Sequence, residues 1–260
     1  MKLLVDLGNT RLKWATLARG KLQAGEPSVH AGEALGRLLS RAWAGLPAPG
    51  AVVVSSVAGA RRERQLRDWL RRRWQLEAEF LLPARRACGV VNAYPDPQRL
   101  GADRWAALLG ARAAGLLPAC VVDCGTAVTV DLLDAAGVHQ GGLIVPGLRL
   151  APASLTGGTG QIAWSARAEV HEAAAPGFAR NTLAALHDGA LYQLVALLDR
   201  VYADSAARLA APLHGLLTGG DAPRLLPLLR AGYSHRPDLV LEGLAAYAAR
   251  RRGGARAGAR

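Results

Sequence analysis

Cysteine is scarce in this chain, and so are lysine and long apolar runs. Cys88, Cys120 and Cys124 are odd in number, and no CxxC pair occurs. That argues against a disulfide framework or a thiolate zinc site and fits reduced thiols in a cytoplasmic protein. No apolar stretch approaches the roughly 20 residues that a membrane-spanning helix requires. The chain goes straight into a strand, with one Lys, no extended apolar h-region and no small-residue cleavage site, so no signal peptide is expected. Two phosphate-binding signatures are also missing. Neither GxxxxGK[ST] nor GxGxxG is found, which disfavours a P-loop and a Rossmann cofactor.

What is present is apolar and basic. The hydrophobic content of 51% is ample for a core, and 260 residues allow one large domain or two modest ones. The net charge of +12 rests on arginine, since lysine is confined to Lys2, Lys13 and Lys21. Arg61, Arg62, Arg64, Arg67, Arg71, Arg72 and Arg73 share one amphipathic stretch with Leu66, Trp69 and Leu70, which reads as a solvated helix face. Arg250, Arg251, Arg252, Arg256 and Arg260 fall in a Gly/Ala-rich tail whose residues 252–260 are expected to be disordered. Charge so distributed argues against nucleic acid as the main partner and suits attraction of anionic substrates.

Short apolar runs alternate with helical patterns, the signature of an α/β chain. Strands are expected at 2–6, 11–17, 51–56 and 80–82, then at 119–123, 127–133, 137–143, 214–218 and 239–241. Helices are expected at 32–44, 61–74, 102–114, 180–202, 223–230 and 242–251. A Pro-Ala step at 118–119 separates the halves. Domains are therefore expected at 1–116 and 117–251.

The halves share one plan. Val5-Asp6-Leu7-Gly8-Asn9-Thr10 and Val122-Asp123-Cys124-Gly125-Thr126-Ala127 each end an apolar strand in an Asp-x-Gly turn, close to half the chain apart. Later in each half, a strand, a small-residue turn and a helix follow. Gly lets backbone N–H groups approach an oxyanion, and Asn9, Thr10 and Thr126 add neutral donors. A carboxylate cannot itself sit against a phosphate. A leading Asp6 or Asp123 therefore implies a bound cation or its water shell. A purely structural hairpin gives the same single motif, but two copies at half-chain spacing point to duplication.

Gly141-Gly142, Pro146-Gly147 and Thr218-Gly219-Gly220-Asp221 are further turns that suit close backbone approach. Asp103 and Arg104 lie where a loop enters an Ala/Leu-rich helix. Asp103 there is either an N-cap or first-turn acid or a proton acceptor beside an anion-holding arginine. Tyr94, in the Pro-rich loop before it, would line the same pocket.

Together, "DLGNTRLK" at 6–13, "GADRW" at 101–105, "DCGTAVTVD" at 123–131, "GGLIVPGL" at 141–148, "RNT" at 180–182, "TGGD" at 218–221 and "LVLEGL" at 239–244 resemble the type III pantothenate kinases. These are members of the acetate and sugar kinase/Hsp70/actin superfamily. The continuation Arg11-Leu12-Lys13-Trp14 is also similar to the proteobacterial branch known as Bvg accessory factor. The resemblance implies two duplicated ribonuclease-H-like (actin-like ATPase) domains with mixed sheets flanked by helices. It implies ATP-dependent phosphorylation of pantothenate to 4′-phosphopantothenate, the first step of coenzyme A biosynthesis.

By the same resemblance, Asp6, Leu7, Gly8, Asn9, Thr10, Arg11, Leu12 and Lys13 form the first ATP phosphate loop, and Thr126 contacts ATP phosphate. Asp6 binds Mg²⁺ through water, and Asp123 binds a monovalent cation, K⁺ or NH₄⁺. Tyr94, Gly101, Ala102, Asp103, Arg104 and Thr182 match pantothenate-binding positions, with Asp103 as general base. Cys124 stands where an apolar residue is common, and no chemistry is assigned to it.

The resemblance further implies a homodimer. The stretch 180–202 carries Leu183, Leu186, Leu191, Leu194, Leu197, Leu198 and Val201, more apolar surface than one core-facing stripe needs. Leu191 and Leu194 are candidate interface positions, with Thr182 completing the partner's pocket. Two other readings stay open: another small-molecule enzyme on the same fold, and a non-catalytic factor that influences transcription. Intact Asp6, Asp103 and Asp123 weigh against the latter.

Overall fold

The computed structural model describes residues 1–30, 33–158 and 177–254. Packing divides the chain into two units. Met1–Leu116, Gly137–His139 and the chain from Asp238 on form the first, and Leu117–Ala136 with Gln140–Pro237 form the second.

The first unit runs β1 (Lys2–Leu7), β2 (Arg11–Ala18), β3 (Lys21–Ala24), β4 (Ser28–Val29), α1 (Leu35–Ala42), β5 (Val52–Ser56), α2 (Ala60–Trp74), β6 (Ala78–Phe80), β7 (Arg86–Ala87), β8 (Val90–Val91) and α3 (Ala102–Ala113). The second runs β9 (Ala119–Cys124), β10 (Ala127–Leu133), β11 (His139–Pro146), α4 (Leu150–Gly158), α5 (Thr182–Leu209), β12 (His214–Thr218), α6 (Ala222–Leu225) and β13 (Tyr233–His235). The last helix, α7 (Leu239–Gly254), returns to the first unit.

The sheets repeat one topology. The first has strand order β3-β2-β1-β5-β6 with β4 on β2, and the second has β11-β10-β9-β12-β13. In each, the leading strand pairs antiparallel with its hairpin mate and parallel with the strand that follows the crossover. Register matches too. Asp6 lies opposite Ser55 on β5, and Asp123 lies opposite Thr218 on β12. These are the mixed sheets of a duplicated fold.

Leu3, Val5 and Leu7 alternate along β1 and enter one core with Leu38 and Leu39 of α1 and Leu66, Trp69, Leu70 and Trp74 of α2. Trp43, Trp69 and Trp74 close that core as a triangle with centroid separations of 5.1–5.7 Å. α3 and α7 pack on each other and against β5. Their backbones nearly touch: a Cβ on Gly243 would collide with the Ala106 carbonyl, and one on Gly110 with that of Leu239.

That close approach accounts for two differences from the sequence expectation. Residues 239–241 are no strand but the first turn of α7, where Leu239, Val240 and Leu241 are all buried. A helix wedged among other elements reads as a continuous apolar run, just as a buried strand does. The same packing draws the C-terminal helix into the first unit. Helix α7 also extends to Gly254, past the expected start of a disordered tail at 252. Residues 255–260 of that tail lie outside the described residues.

In the second unit, Leu191, Leu194 and Leu198 of α5 enter a core with Cys120, Val122, Cys124, Val128, Val130 and Leu217. Leu191 and Leu194 therefore serve this subunit's own core and are not interface positions. The stretch expected as a helix at 223–230 splits into α6 and a 3₁₀ turn at Leu226–Leu228, where Pro227 has no N–H to continue the backbone ladder. Among the described residues, no helix is long and apolar enough to cross a membrane.

Candidate active site

The first hairpin joins β1 to β2. Asp6 faces Lys13 across the antiparallel ladder, and Leu7 faces Leu12. Leu7 and Leu12 are fully buried, so only their backbone is offered to a ligand. Their burial anchors a tip at Gly8, Asn9 and Thr10, which the Gly8 N–H closes by donating to the Arg11 carbonyl at 3.0 Å.

Two residues outside the expected site hold this tip. His30, nearly fully buried, places Nε2 at 2.9 Å from the Gly8 carbonyl. Arg62, in the first turn of α2, donates Nη1 to the Asn9 carbonyl at 2.6 Å. Sequence reading gave Arg62 to a solvated face and passed over His30. Arg61 shares the same first turn and is exposed, so the sequence does not set Arg62 apart from its neighbours.

The substrate segment also lies in the first unit. Gly101 caps α3 through its backbone alone, and Asp103 follows in the first turn, half-buried. Asp103 Oδ1 accepts from the Arg104 N–H at 2.8 Å. A Cβ on Gly101 would stand 2.5 Å from that same oxygen, so the carboxylate folds back over Gly101 and would have to move for any larger residue there. Ala102 is buried beside it.

Arg104 is 6% exposed, and its Nη1 donates to the Tyr94 hydroxyl at 3.1 Å. A buried guanidinium is costly unless paired, and the Tyr94 phenol is one of the groups that hold this one. Tyr94 is fixed on its other side by His139, stacked at 6.0 Å and 14°. Its loop is tied down by Asn92, whose Oδ1 accepts from the Tyr94 N–H at 2.9 Å, and by Arg85, which donates to the Tyr94 carbonyl at 3.1 Å. Tyr94, Gly101, Ala102, Asp103 and Arg104 thus form one cluster. Asn92, Arg85 and His139 support it from positions without a motif of their own.

The second hairpin joins β9 to β10. Asp123 is half-buried at its base and Thr126 is exposed at its tip. The Cys124 carbonyl accepts from the Asp221 N–H at 3.0 Å, and the Thr126 carbonyl from the Gly147 N–H at 3.0 Å. The "TGGD" and "GGLIVPGL" segments therefore both buttress this turn. Cys124 points into the core, where burial pushes its thiol well above the usual range, leaving it protonated and inert. Thr182 belongs to this unit as well, exposed at the start of α5, where Asn181 caps the helix by accepting from the Ala184 N–H at 2.9 Å.

Could these residues hold the implied cations? Among the described residues, no group of three or more His, Cys, Asp or Glu could bind a metal by itself. That suits Mg²⁺, which commonly takes one or two carboxylates and fills its shell with water and phosphate oxygens. The Asp123 carboxylate rests against Gly125 and Gly219, in a cradle that a side chain on Gly219 would fill. Oxygen donors in a backbone-lined cradle suit a hard cation.

Comparison with known proteins gives the family. The family model for type III pantothenate kinase matches residues 2–204. A type III pantothenate kinase from Nitrosococcus oceani is 44% identical over 251 residues, covering 94% of this chain and 92% of that protein. Among solved structures, a protein assigned to the Baf family of transcriptional activators from Campylobacter jejuni superposes with a TM-score of 0.59 at 18% identity, covering 96% of this chain and 99% of that one. The activator of 2-hydroxyisocaproyl-CoA dehydratase from Clostridium difficile, solved with bound ADPNP, superposes at 0.53 with 12% identity, covering 100% and 98%. These two likenesses show the fold, that of the actin-like ATPases. With the family model spanning most of its length and a curated relative at 44% identity, the chain belongs to the type III pantothenate kinases.

Proposed function

We propose that this protein transfers the γ-phosphoryl group of ATP to the primary hydroxyl of pantothenate, releasing ADP and 4′-phosphopantothenate, as the first step of coenzyme A biosynthesis. The observation that carries this reading is the Tyr94–Arg104–Asp103 cluster in a chain of this family. It combines a buried, phenol-tethered cation for an anionic acceptor with a carboxylate beside it. Phosphoryl transfer asks mainly for positioning and for stabilisation of charge on the transferring group.

In this reading Asp103 accepts the hydroxyl proton as the new O–P bond forms and the bond from the γ-phosphorus to the bridging oxygen of ADP breaks. Arg104 pairs with the pantothenate carboxylate, while Tyr94, Gly101 and Ala102 shape the pocket. The segment Asp6 to Lys13 receives ATP phosphates, chiefly through the backbone of Leu7, Gly8, Asn9, Thr10, Arg11 and Leu12. Thr126 donates its hydroxyl to phosphate. Asp6 would hold Mg²⁺ through water and Asp123 would hold K⁺ or NH₄⁺. When bound, these cations supply neutralisation of phosphate charge.

The protein acts as a cytoplasmic homodimer in this proposal, with Thr182 completing the partner's pantothenate pocket. Exposed Leu183 and Tyr192 on α5, with Leu143 and Ile144 on β11, support an interface on the second unit. The deciding experiment is an ATP-dependent assay with pantothenate. Formation of 4′-phosphopantothenate is expected, and its absence under conditions where ATP binds would reject the acceptor.

A further inference from the structure

We infer that His30 and Arg62 form a clip that fixes the amide surface of the first hairpin for ATP phosphates, an inference that rests on the kinase reading above. The tip presents three successive carbonyls, and two residues hold all three. The Gly8 carbonyl accepts from His30 Nε2 at 2.9 Å, the Asn9 carbonyl from Arg62 Nη1 at 2.6 Å, and the Thr10 carbonyl from the backbone N–H of His30 at 3.1 Å.

Peptide planarity gives these bonds their consequence. In a trans peptide the N–H points opposite the preceding carbonyl. Pinning the carbonyls of Gly8, Asn9 and Thr10 therefore fixes the N–H directions of Asn9, Thr10 and Arg11, within the proposed phosphate loop. An unpinned peptide at a glycine-containing tip can rotate and turn a carbonyl toward the phosphate, where like partial charges repel. Fixed N–H groups need no reorganisation when an anion arrives.

Both residues occupy their positions at a local cost. Since a carbonyl only accepts, His30 carries its proton on Nε2, and Nδ1 is left buried without a hydrogen-bond partner. Arg62 stands in the first turn of α2 against the helix dipole, with its Nη1 only 3.3 Å from His30 Nε2. The second hairpin is held through backbone donors. Backbone N–H groups of Asp221 and Gly147 hold its carbonyls at Cys124 and Thr126. At the first hairpin, by contrast, two of the three carbonyls are held by side chains, so a side-chain change can disorder its phosphate surface.

The test uses the full-length protein carrying Arg62→Ala, Arg62→Lys or His30→Gln. ATP and AMP affinities are measured by calorimetry, KM for ATP and pantothenate by steady-state kinetics, and folding by thermal unfolding. Arg62 is only partly buried, so the folded state of its alanine variant is directly accessible. For Arg62→Ala we expect ATP affinity to fall about 10- to 100-fold, the value of one charged hydrogen bond. AMP affinity and the KM for pantothenate should stay within about twofold, and Arg62→Lys should recover part of the loss. His30→Gln, which retains a donor, should weaken ATP binding less than Arg62→Ala does. Unchanged ATP affinity in folded Arg62→Ala, or equal losses for ATP, AMP and pantothenate, would overturn the clip. Because ATP binding needs no acceptor, a wild type that binds ATP without phosphorylating pantothenate rejects the acceptor and still leaves the clip to these affinities. A wild type that binds no ATP removes both.

Discussion

Gly219 lies so close to Asp123 that a Cβ built on it would stand 2.5 Å from the carboxylate Oδ1 and would also strike the Cys124 carbonyl. Its φ of +94° is a second reason for glycine, because other residues rarely adopt that conformation. The "TGGD" turn thus brings a backbone without a side chain against the Asp123 carboxylate. If Asp123 ligates a monovalent cation, activity should be low in Na⁺ or Tris buffer and recover on adding K⁺ or NH₄⁺ with Mg²⁺ held constant. Asp123→Ala should abolish that recovery, and Gly219→Ala should blunt it while costing about 1–3 kcal/mol of stability in chemical denaturation. Equal rates in all salts would remove the cation from Asp123.

The base makes a separate prediction. Asp103→Asn keeps the acceptor for the Arg104 N–H but removes proton acceptance, so kcat should fall about 10²–10⁴-fold. ATP affinity, measured by calorimetry, should hold. Near-full turnover would reduce Asp103 to a first-turn acid that stabilises α3.

Assembly is tested at exposed positions. Tyr192 and Leu183 are 66% and 43% exposed, whereas Leu191 and Leu194 fill the core. Tyr192→Glu should weaken dimerisation at least about tenfold and lower activity with it, because an interface aromatic typically carries more than 1 kcal/mol. Leu194→Glu should unfold the unit instead, since it buries a charge in the core. Light scattering that finds the wild type to be an active monomer of 27.2 kDa would contradict the dimer.

Alkaline pH should destabilise the second unit. Burial pushes the Cys120 thiol from its ordinary 9.0 up to about 11, and raises the Cys124 thiol and the Tyr233 phenol further. The folded state therefore holds these protons more tightly than the unfolded chain. That contribution is complete below about pH 9 and is lost as pH rises through the folded values. Denaturation midpoints should fall between about pH 9 and 11, and Cys120→Ala should soften the fall. A flat profile across that interval would refute it.

The duplicated hairpins were legible because their information is local. An apolar strand, an Asp-x-Gly turn and a second strand at 2–17 and 119–133 need no distant partner to be recognised. Residues 239–241 were not, because three consecutive buried residues fit a helix packed on several sides as well as a strand. Leu191 and Leu194 show the same limit: an apolar helix announces burial without saying what buries it. The Asp103 cluster was visible in its motif. Its supports, Arg85, Asn92 and His139, were not, since each acts through a contact that only the folded chain creates. Arg62 was hidden among neighbouring arginines that do face solvent, and His30 follows a two-residue edge strand too short to carry a pattern.

The central claim is that a carboxylate, a tethered arginine and two Asp-Gly hairpins phosphorylate pantothenate. Its most direct test measures ADP release and the phosphorylated product with ATP, Mg²⁺ and K⁺, offering pantothenate against a panel of sugars. The account predicts turnover with pantothenate, formation of 4′-phosphopantothenate by mass, and sugar rates at least about 10²-fold lower. Turnover of a sugar in preference to pantothenate, or ADP release without a phosphorylated acceptor, would contradict it.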